Sequence, residues 1–279
     1  MRPPAVSFWN GKMRVCVFVD GESLRHVIGD LFIREQFDDR DYLPKEADWA
    51  KWFDALVGQA TEGRGSRLRT YWYVVHYVDP YPNPLRRFLR TPERLEMWSG
   101  KNRRFLKRQH SIDGLDAQER TKKLTSIQEH LHERRIKIKS RFDGFLTVQG
   151  GIAGHHRAIE FRRSGAIGYD LFSGQLGQEK TVDVNLAVDL LLFRESYDLA
   201  LIVSGDQDYV PAVEAVKNSG KQVVNVGFLR RDGKLLPGGA ARLNQVTDWS
   251  IKVEYEDLRA ALKLPEMVGK PKEDHEAPQ

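Results

Sequence analysis

The chain has 279 residues, of which 41% are hydrophobic and 30% charged, so it can form one large domain or two small ones with a sizeable core. No apolar run approaches the roughly 20 residues that a membrane-spanning helix needs, and the N-terminus lacks an apolar signal stretch, so we expect no membrane residence and no secretion. The single cysteine, Cys16, excludes an internal disulfide and a zinc site built from several cysteines. These features favour a reducing, cytoplasmic location.

Positive charge is concentrated in one region of the sequence. Residues 86–141 hold 17 Lys or Arg and 7 Asp or Glu, a net charge of +10, whereas the whole chain carries +5 and the remainder therefore −5. A field of this kind fits a polyanionic partner, nucleic acid first, with a solvated helical surface as the simpler alternative. The basic side chains expected to hold a nucleic-acid backbone are Arg86, Arg87, Arg103, Arg104, Lys107 and Arg108.

The first part of the chain predicts two strands and a helix. Residues 14–19 are continuously apolar with several β-branched members, which predicts a buried strand. Asp48 is a candidate cap for the helix that follows it, and residues 70–78 predict a strand rich in aromatic and β-branched side chains. Prolines at positions 80, 82 and 84 then predict the end of regular structure.

The basic region predicts helices followed by strands. Pro92 suits the first position of one helix, and residues 117–134 predict a second. The Ile, Phe and Val residues between positions 136 and 148 are typical of a strand or hairpin. Residues 158–172 predict another short strand with glycine turns.

The last third of the chain predicts a βαβ unit. Residues 184–192 are apolar on most faces of a helix, which predicts deep burial. A strand at 199–203, a helix at 208–218 and a strand at 222–228 follow. Because the connection is a helix, the two strands should be parallel.

Acidic side chains follow two predicted strands and open one predicted helix. Asp20 ends the first strand, Asp206 and Asp208 follow the strand at 199–203, and Asp183 begins the apolar helix. Alternating strands and helices predict an open parallel sheet covered on both faces, and such sheets bind ligands beyond the carboxyl ends of their strands. Like charges that meet there repel unless a cation lies between them, and carboxylates suit Mg²⁺ or Mn²⁺. Metal-binding carboxylates beside a basic surface indicate phosphodiester hydrolysis.

Each acid also has a simpler interpretation. Asp20, Asp183 and Asp208 could each cap the helix that follows. Asp189 lies inside the apolar helix, where an unpaired carboxylate is costly, so we expect it to bond a neighbouring backbone group or to orient the site. The metal hypothesis therefore depends on the four other aspartates meeting in one pocket.

Three segments resemble the NYN domain family of PIN-like nucleases: residues 17–24 (VFVDGESL), 180–184 (KTVDV) and 203–211 (VSGDQDYVP). The resemblance implies an α/β fold, a Rossmann-like three-layer sandwich with a central, mainly parallel sheet. Here a long basic insertion would interrupt that domain, which covers residues 12–250, at about residues 81–177. Residues 251–279 would form a C-terminal helix and a disordered tail.

The resemblance also implies a metal-dependent endoribonuclease that hydrolyses RNA phosphodiester bonds. By position, the four aspartates named above would bind Mg²⁺ or Mn²⁺ and serve catalysis, and Ser23 and Ser204 would position the substrate. Ser23 stands where the family usually has Asn, which favours the alternative of a catalytically weak or inactive RNA-binding adaptor. A third hypothesis is an interaction module whose insertion binds an acidic protein partner or a second copy of the chain.

Overall fold

The computed structural model describes residues 11–32, 43–82, 92–101, 114–177, 181–236 and 241–264. Within these ranges six strands form one sheet, and helices pack on both of its faces. The elements in chain order are β1 Met13–Asp20, α1 Gly21–Phe32, α2 Trp49–Thr61, β2 Gly65–Tyr81, α3 Pro92–Lys101, α4 Ala117–His155, β3 Ile159–Asp170, α5 Thr181–Leu192, β4 Leu199–Val203, α6 Val210–Asn218, β5 Gln222–Phe228, α7 Ala241–Val246, β6 Trp249–Val253 and α8 Tyr255–Ala261.

The sheet has the strand order β3-β2-β1-β4-β5-β6, and every pairing in it is parallel. Alternate residues of β1 face opposite layers because successive side chains of a strand point to opposite faces. Val15, Val17 and Val19 pack in a core with α1, α2 and α8, whereas Cys16 and Phe18 pack in a second core with α5, α6 and α7. The predicted α/β three-layer architecture with a mainly parallel sheet is therefore confirmed.

The prediction of strand or hairpin structure between residues 136 and 148 is wrong, because α4 continues unbroken to His155. Phe145, Val148 and Ile152 recur at helical spacing and pack against the core on the α2 side of the sheet. This tertiary contact outweighs the β-branched composition and the three glycines of the segment, since propensity alone is a weak determinant of structure.

The prediction that α5 is buried on most faces is also wrong. Val182, Leu186 and Leu190 form its buried stripe. The exposed fractions of Val184, Val188 and Leu192 are 59%, 43% and 66%. The sheet covers one side of the helix only.

Strand β2 runs through the predicted proline break as far as Tyr81. Its pairing with β1 ends where Tyr73 lies beside Asp20, whereas its pairing with β3 continues to Tyr81 and Asp170. Beyond Tyr73, β2 therefore lacks β1 as a neighbour, and an edge strand tolerates Pro80, which has no N–H to donate. Residues 74–81 of β2 and their β3 partners form a two-stranded ribbon that extends about 26 Å beyond β1, at roughly 3.3 Å per residue.

A small module, which we call the tip module, packs at the far end of this ribbon. It consists of α3, the N-terminal half of α4 and residues 169–172, which end and follow β3. The Arg134 guanidinium donates from Nη1 to the carbonyl oxygens of Leu171 and Phe172, both at 2.8 Å, and Leu171 N donates to Tyr81 O at 2.7 Å. The buried side chains of the module are Trp98, Leu124, Ile127, Leu131, Leu171 and Phe172.

In the ranges that the structure describes, no helix is long and apolar enough to cross a membrane.

The thiol of Cys16 should be unreactive in the folded protein. Its side chain is fully buried in β1, and burial raises the pKa of the thiol to about 11, against the opposing charges of Arg69 and Arg14. Because the thiolate is the reactive form, we expect no reaction with an aromatic disulfide reagent under mildly alkaline native conditions and complete reaction in denaturant. Absorbance of the released thiol measures both, and fast reaction of the native protein would contradict this burial.

Gly21 lies where β1 passes directly into α1, against the neighbouring strand. A Cβ at this position would stand 2.4 Å from Tyr73 O and 2.9 Å from Val74 Cγ1. We expect Gly21→Ala to lower the free energy of unfolding by about 1–3 kcal/mol, as overpacking typically does. Gly58→Ala in α2 is the control: nothing lies within 4 Å of its Cβ, so removing a helical glycine should raise stability by about 0.5–1 kcal/mol. Urea unfolding of both variants measures the difference, and equal effects would contradict the close approach.

Candidate functional site

The register between β1 and β4 brings two polar strand ends together. Val19 pairs with Val203, so Asp20, the last residue of β1, lies beside Ser204, the first residue after β4. Both strands are parallel, and both therefore end at the same edge of the sheet. This is the edge at which ligands bind in sheets of this class.

The carboxylate of Asp20 is 3% exposed and accepts hydrogen bonds from both sides. Its Oδ1 accepts from the backbone N–H groups of Glu22 and Ser23, at 3.1 and 3.0 Å. Its Oδ2 lies 2.7 Å from Ser23 Oγ and 2.8 Å from Ser204 Oγ, and the two hydroxyl oxygens are 3.2 Å apart. Asp20 therefore caps α1, as the simpler interpretation held, and also joins α1 to the end of β4.

The loop after β4 presents two further carboxylates. Asp206 N donates to Ser204 Oγ at 3.0 Å, and Asp208 N donates to Asp206 Oδ1 at 2.9 Å. Burial raises the pKa of Asp206, and the negative charges of Asp208 and Asp20 raise it further, against the hydrogen bond from Asp208 N. Asp206 is half-buried and Asp208 exposed, so the cluster opens to solvent on this side.

Tyr209 connects the fourth acid to this cluster. Its side chain is 1% exposed, and its hydroxyl donates to Asp183 Oδ1 at 2.9 Å. Burial raises the pKa of this hydroxyl strongly, and the negative charges of Asp20, Asp183 and Asp206 raise it further. Three aspartates from three separate segments therefore lie within electrostatic reach of one buried phenol.

Tyr209 is not recognisable as a site residue from the sequence pattern alone. A buried aromatic residue between an acidic loop and a helix is typical of a core position. The available signal was its polar group, because a buried tyrosine hydroxyl needs a hydrogen-bond partner and acids precede it directly in the chain.

Helix α5, which carries Asp183, is attached to the sheet through Asp189. The hydroxyl of Tyr73 on β2 donates to Asp189 Oδ2 at 2.8 Å, and Arg162 Nε lies 4.0 Å from the same oxygen. Tyr73 is also the β2 residue that pairs with Asp20. Asp189 thus bonds a side chain, not the backbone group that was one of the two expectations. This bond holds α5 beside the acid cluster.

The donor set suits a hard divalent cation in its chemistry, because carboxylates are the ligands that Mg²⁺ and Mn²⁺ prefer. The raised pKa of Asp206 reflects burial first and repulsion from Asp208 and Asp20 second, and a bound cation would offset both. In the part of the chain that the structure describes, however, no group of three or more His, Cys, Asp or Glu side chains is arranged to hold a metal ion. The metal-binding role of the four aspartates stays a prediction.

The basic residues expected to bind RNA fall in residues 83–91 and 102–113, outside the described residues. Arg86, Arg87, Arg103, Arg104, Lys107 and Arg108 therefore stay predictions.

Residues 118–237 match the model of the NYN domain family, described as an NYN domain. The match confirms the predicted resemblance and suggests the PIN-like nuclease superfamily. The matched segment contains Asp183, Ser204, Asp206 and Asp208; it begins inside α4 and does not include β1 with Asp20.

Two other proteins show weaker likenesses. An uncharacterized protein of Methanocaldococcus jannaschii is 34% identical over 77 residues, which cover 27% of this chain and 29% of that protein. The chain thus matches less than a third of that relative's length. A crystal structure of a protein of unknown function from Vibrio parahaemolyticus aligns over 88% of this chain and 96% of that one, with 14% identity and a TM-score of 0.41.

Replacing Asp206 by Asn should stabilise the metal-free protein. The raised pKa means that the folded state binds this proton more tightly than the unfolded state does. The free energy of unfolding therefore falls as the pH rises through the ordinary aspartate range and stays lower above it. We expect Asp206→Asn to unfold at a higher urea concentration than the wild type near neutral pH, with the gap shrinking in acid.

Asp143→Asn is the matched control, since Asp143 is exposed on α4, and it should show no such gap. Unfolding is followed by circular dichroism in buffer with EDTA. An Asp206→Asn protein that is less stable than the wild type near neutral pH would contradict the raised pKa of Asp206.

Proposed function

We propose that this chain, whose residues 118–237 match the NYN domain family, is a divalent-metal-dependent endoribonuclease that hydrolyses RNA phosphodiester bonds. The observation that carries the proposal is the convergence of Asp20, Asp183 and Asp206 around the buried Tyr209 hydroxyl. The pKa of Asp206 is raised by burial and by its carboxylate neighbours, and a perturbed acid at the carboxyl edge of a parallel sheet is typical of a catalytic centre.

Asp20, Asp183, Asp206 and Asp208 are the proposed ligands of Mg²⁺ or Mn²⁺. Such an ion, when bound, lowers the pKa of a water molecule and offsets the charge that develops on the phosphodiester. RNA is the proposed substrate because the inserted region carries a net charge of +10.

The protein's own groups hold these acids in place before substrate arrives. Ser23 and Ser204 donate to Asp20 Oδ2, which fixes its carboxylate. Tyr209 donates to Asp183, and its raised pKa keeps the hydroxyl protonated as a donor. Asp206 and Asp208, half-buried and exposed, stand where a substrate phosphate and its water can enter.

We also propose a domain organisation and a cellular location. Residues 12–250 would form one domain with an insertion at about residues 81–177, followed by a C-terminal segment that contains α8. Strand β3 lies inside that insertion and forms the edge of the central sheet. The protein works in the cytoplasm on RNA, with the insertion available to a protein partner or a second copy.

A nuclease assay on fluorescently labelled single-stranded RNA tests the activity. We expect the wild type to cleave with Mn²⁺ or Mg²⁺ and to stop in excess EDTA. Asp206→Asn should lower kcat by about a hundredfold or more, since loss of a metal ligand costs at least as much as loss of its supporting groups. Asp143→Asn should cleave like the wild type.

A binding measurement gives an independent readout. Mn²⁺ should raise the melting temperature of the wild type, because an ion that binds only the folded state stabilises it. It should raise the melting temperature of Asp206→Asn less. Cleavage in excess EDTA, or unchanged cleavage by Asp206→Asn, would contradict the mechanism. Tight RNA binding without cleavage of several substrates would select the adaptor alternative, which Ser23 in place of Asn favours.

A further inference from the structure

A cavity of about 360 Å³ lies in the tip module, between the N-terminal half of α4 and the residues directly after β3. Its apolar lining includes Leu131, Leu171 and Phe172, which are all buried. A volume of this size falls in the range of small-molecule sites, and apolar walls with a few polar groups are typical of them. Neither the fold nor the proposed reaction needs this cavity.

The polar lining of the cavity is basic. Lys123, His130 and Arg134 line it, Ser126 adds a hydroxyl, and among the described residues that line it none is acidic. Lys123 and His130 are exposed, and no ion pair to either is found among the described residues. Arg134 is held in the wall by its bonds to two backbone carbonyls. The cavity therefore pairs an apolar floor with a positive rim, which suits a ligand with a flat apolar part and an anionic part.

The cavity lies beyond the same edge of the sheet as the acid cluster. All strands of the sheet are parallel, and the cavity follows the C-terminal end of β3 just as Ser204 follows the end of β4. The ribbon separates the two places by about 26 Å, at roughly 3.3 Å per strand residue. Tyr77 and Tyr81, which are 52% and 40% exposed, stand on the ribbon between them, and exposed aromatic rings can stack on nucleic-acid bases.

We propose that the cavity binds one nucleotide of a single-stranded RNA, several nucleotides from the bond that is cleaved. The base enters the cavity beside Ser126 and the edge of Phe172 that lines it, and the phosphate lies at Lys123, His130 and Arg134. The strand then follows the ribbon to the acid cluster. That the nucleotide belongs to an RNA strand rests on the proposed function. That the cavity binds a nucleotide rests on the cavity alone.

The test uses two variants that act on the cavity in different ways. Ser126→Trp fills it without changing charge, and Lys123→Glu reverses one charge on its rim. Lys122→Glu is the matched control, because Lys122 is exposed on the same helix and does not line the cavity. Circular dichroism and urea unfolding first establish that all three variants fold like the wild type.

Fluorescence anisotropy of the full chain, in EDTA so that no cleavage occurs, measures the affinity for RNA. For an RNA of about twelve nucleotides, we expect Ser126→Trp and Lys123→Glu each to weaken binding by about tenfold, as the loss of one stacked base or phosphate contact does. Lys122→Glu should weaken it less than about threefold. An RNA of about three nucleotides is too short to span the ribbon, so it can occupy the cavity or the acid cluster but not both. The wild type should therefore bind it much more weakly than it binds the longer strand.

Four outcomes would overturn the proposal or separate it from the proposed function. Equal losses in Lys123→Glu and Lys122→Glu, or unchanged binding by Ser126→Trp, would overturn it. Lost RNA binding in the cavity variants of a chain that never cleaves RNA would support the cavity while removing the nuclease. Nucleoside monophosphates could bind the wild type but not Ser126→Trp while both proteins bind RNA equally well. That result would overturn the proposal that the nucleotide belongs to an RNA strand and would indicate a site for free nucleotides.

Discussion

The hydrogen bond between Ser204 Oγ and Asp20 Oδ2 is the contact on which the candidate site depends. It joins residues 184 positions apart in the sequence, and the parallel register of β1 with β4 sets its geometry. A carboxylate that is 3% exposed is stable only when its oxygens are bonded. Asp20 meets this requirement with α1 on one side and Ser204 on the other, so its burial orders the loop that carries Asp206.

Two tyrosines fix the remaining side of the site. Tyr73 donates to Asp189 and Tyr209 donates to Asp183, so both acids of α5 are bonded to phenols that project from the sheet and from the loop after β4. Burial and the neighbouring carboxylates raise the pKa values of both hydroxyls. They therefore stay protonated over the physiological pH range and keep donating to Asp189 and Asp183.

The sequence predicted the strands of the βαβ unit and the acids at their ends, because apolar runs and polar termini are local signals. It did not predict the continuation of α4 past Arg134 or of β2 through Pro80. Both depend on tertiary contacts. Helix α4 continues because Phe145 and Ile152 pack on the core beside the sheet, and β2 tolerates Pro80 because β1 has already ended. Tyr209 was missed for a related reason, since its role follows from three segments that meet only in the fold.

The end of β1 at Asp20 has a second consequence. It terminates the central sheet at the acid cluster while β2 and β3 continue, so Tyr73 marks both the site and the base of the ribbon. The tip module is thereby connected to the site through two hydrogen-bonded strands and through α4, which packs on the module at one end and on the central core at the other. A spacing set by paired strands and a packed helix is more nearly fixed than one set by a flexible linker. The ribbon and α4 therefore set the spacing between the acids and the basic cavity.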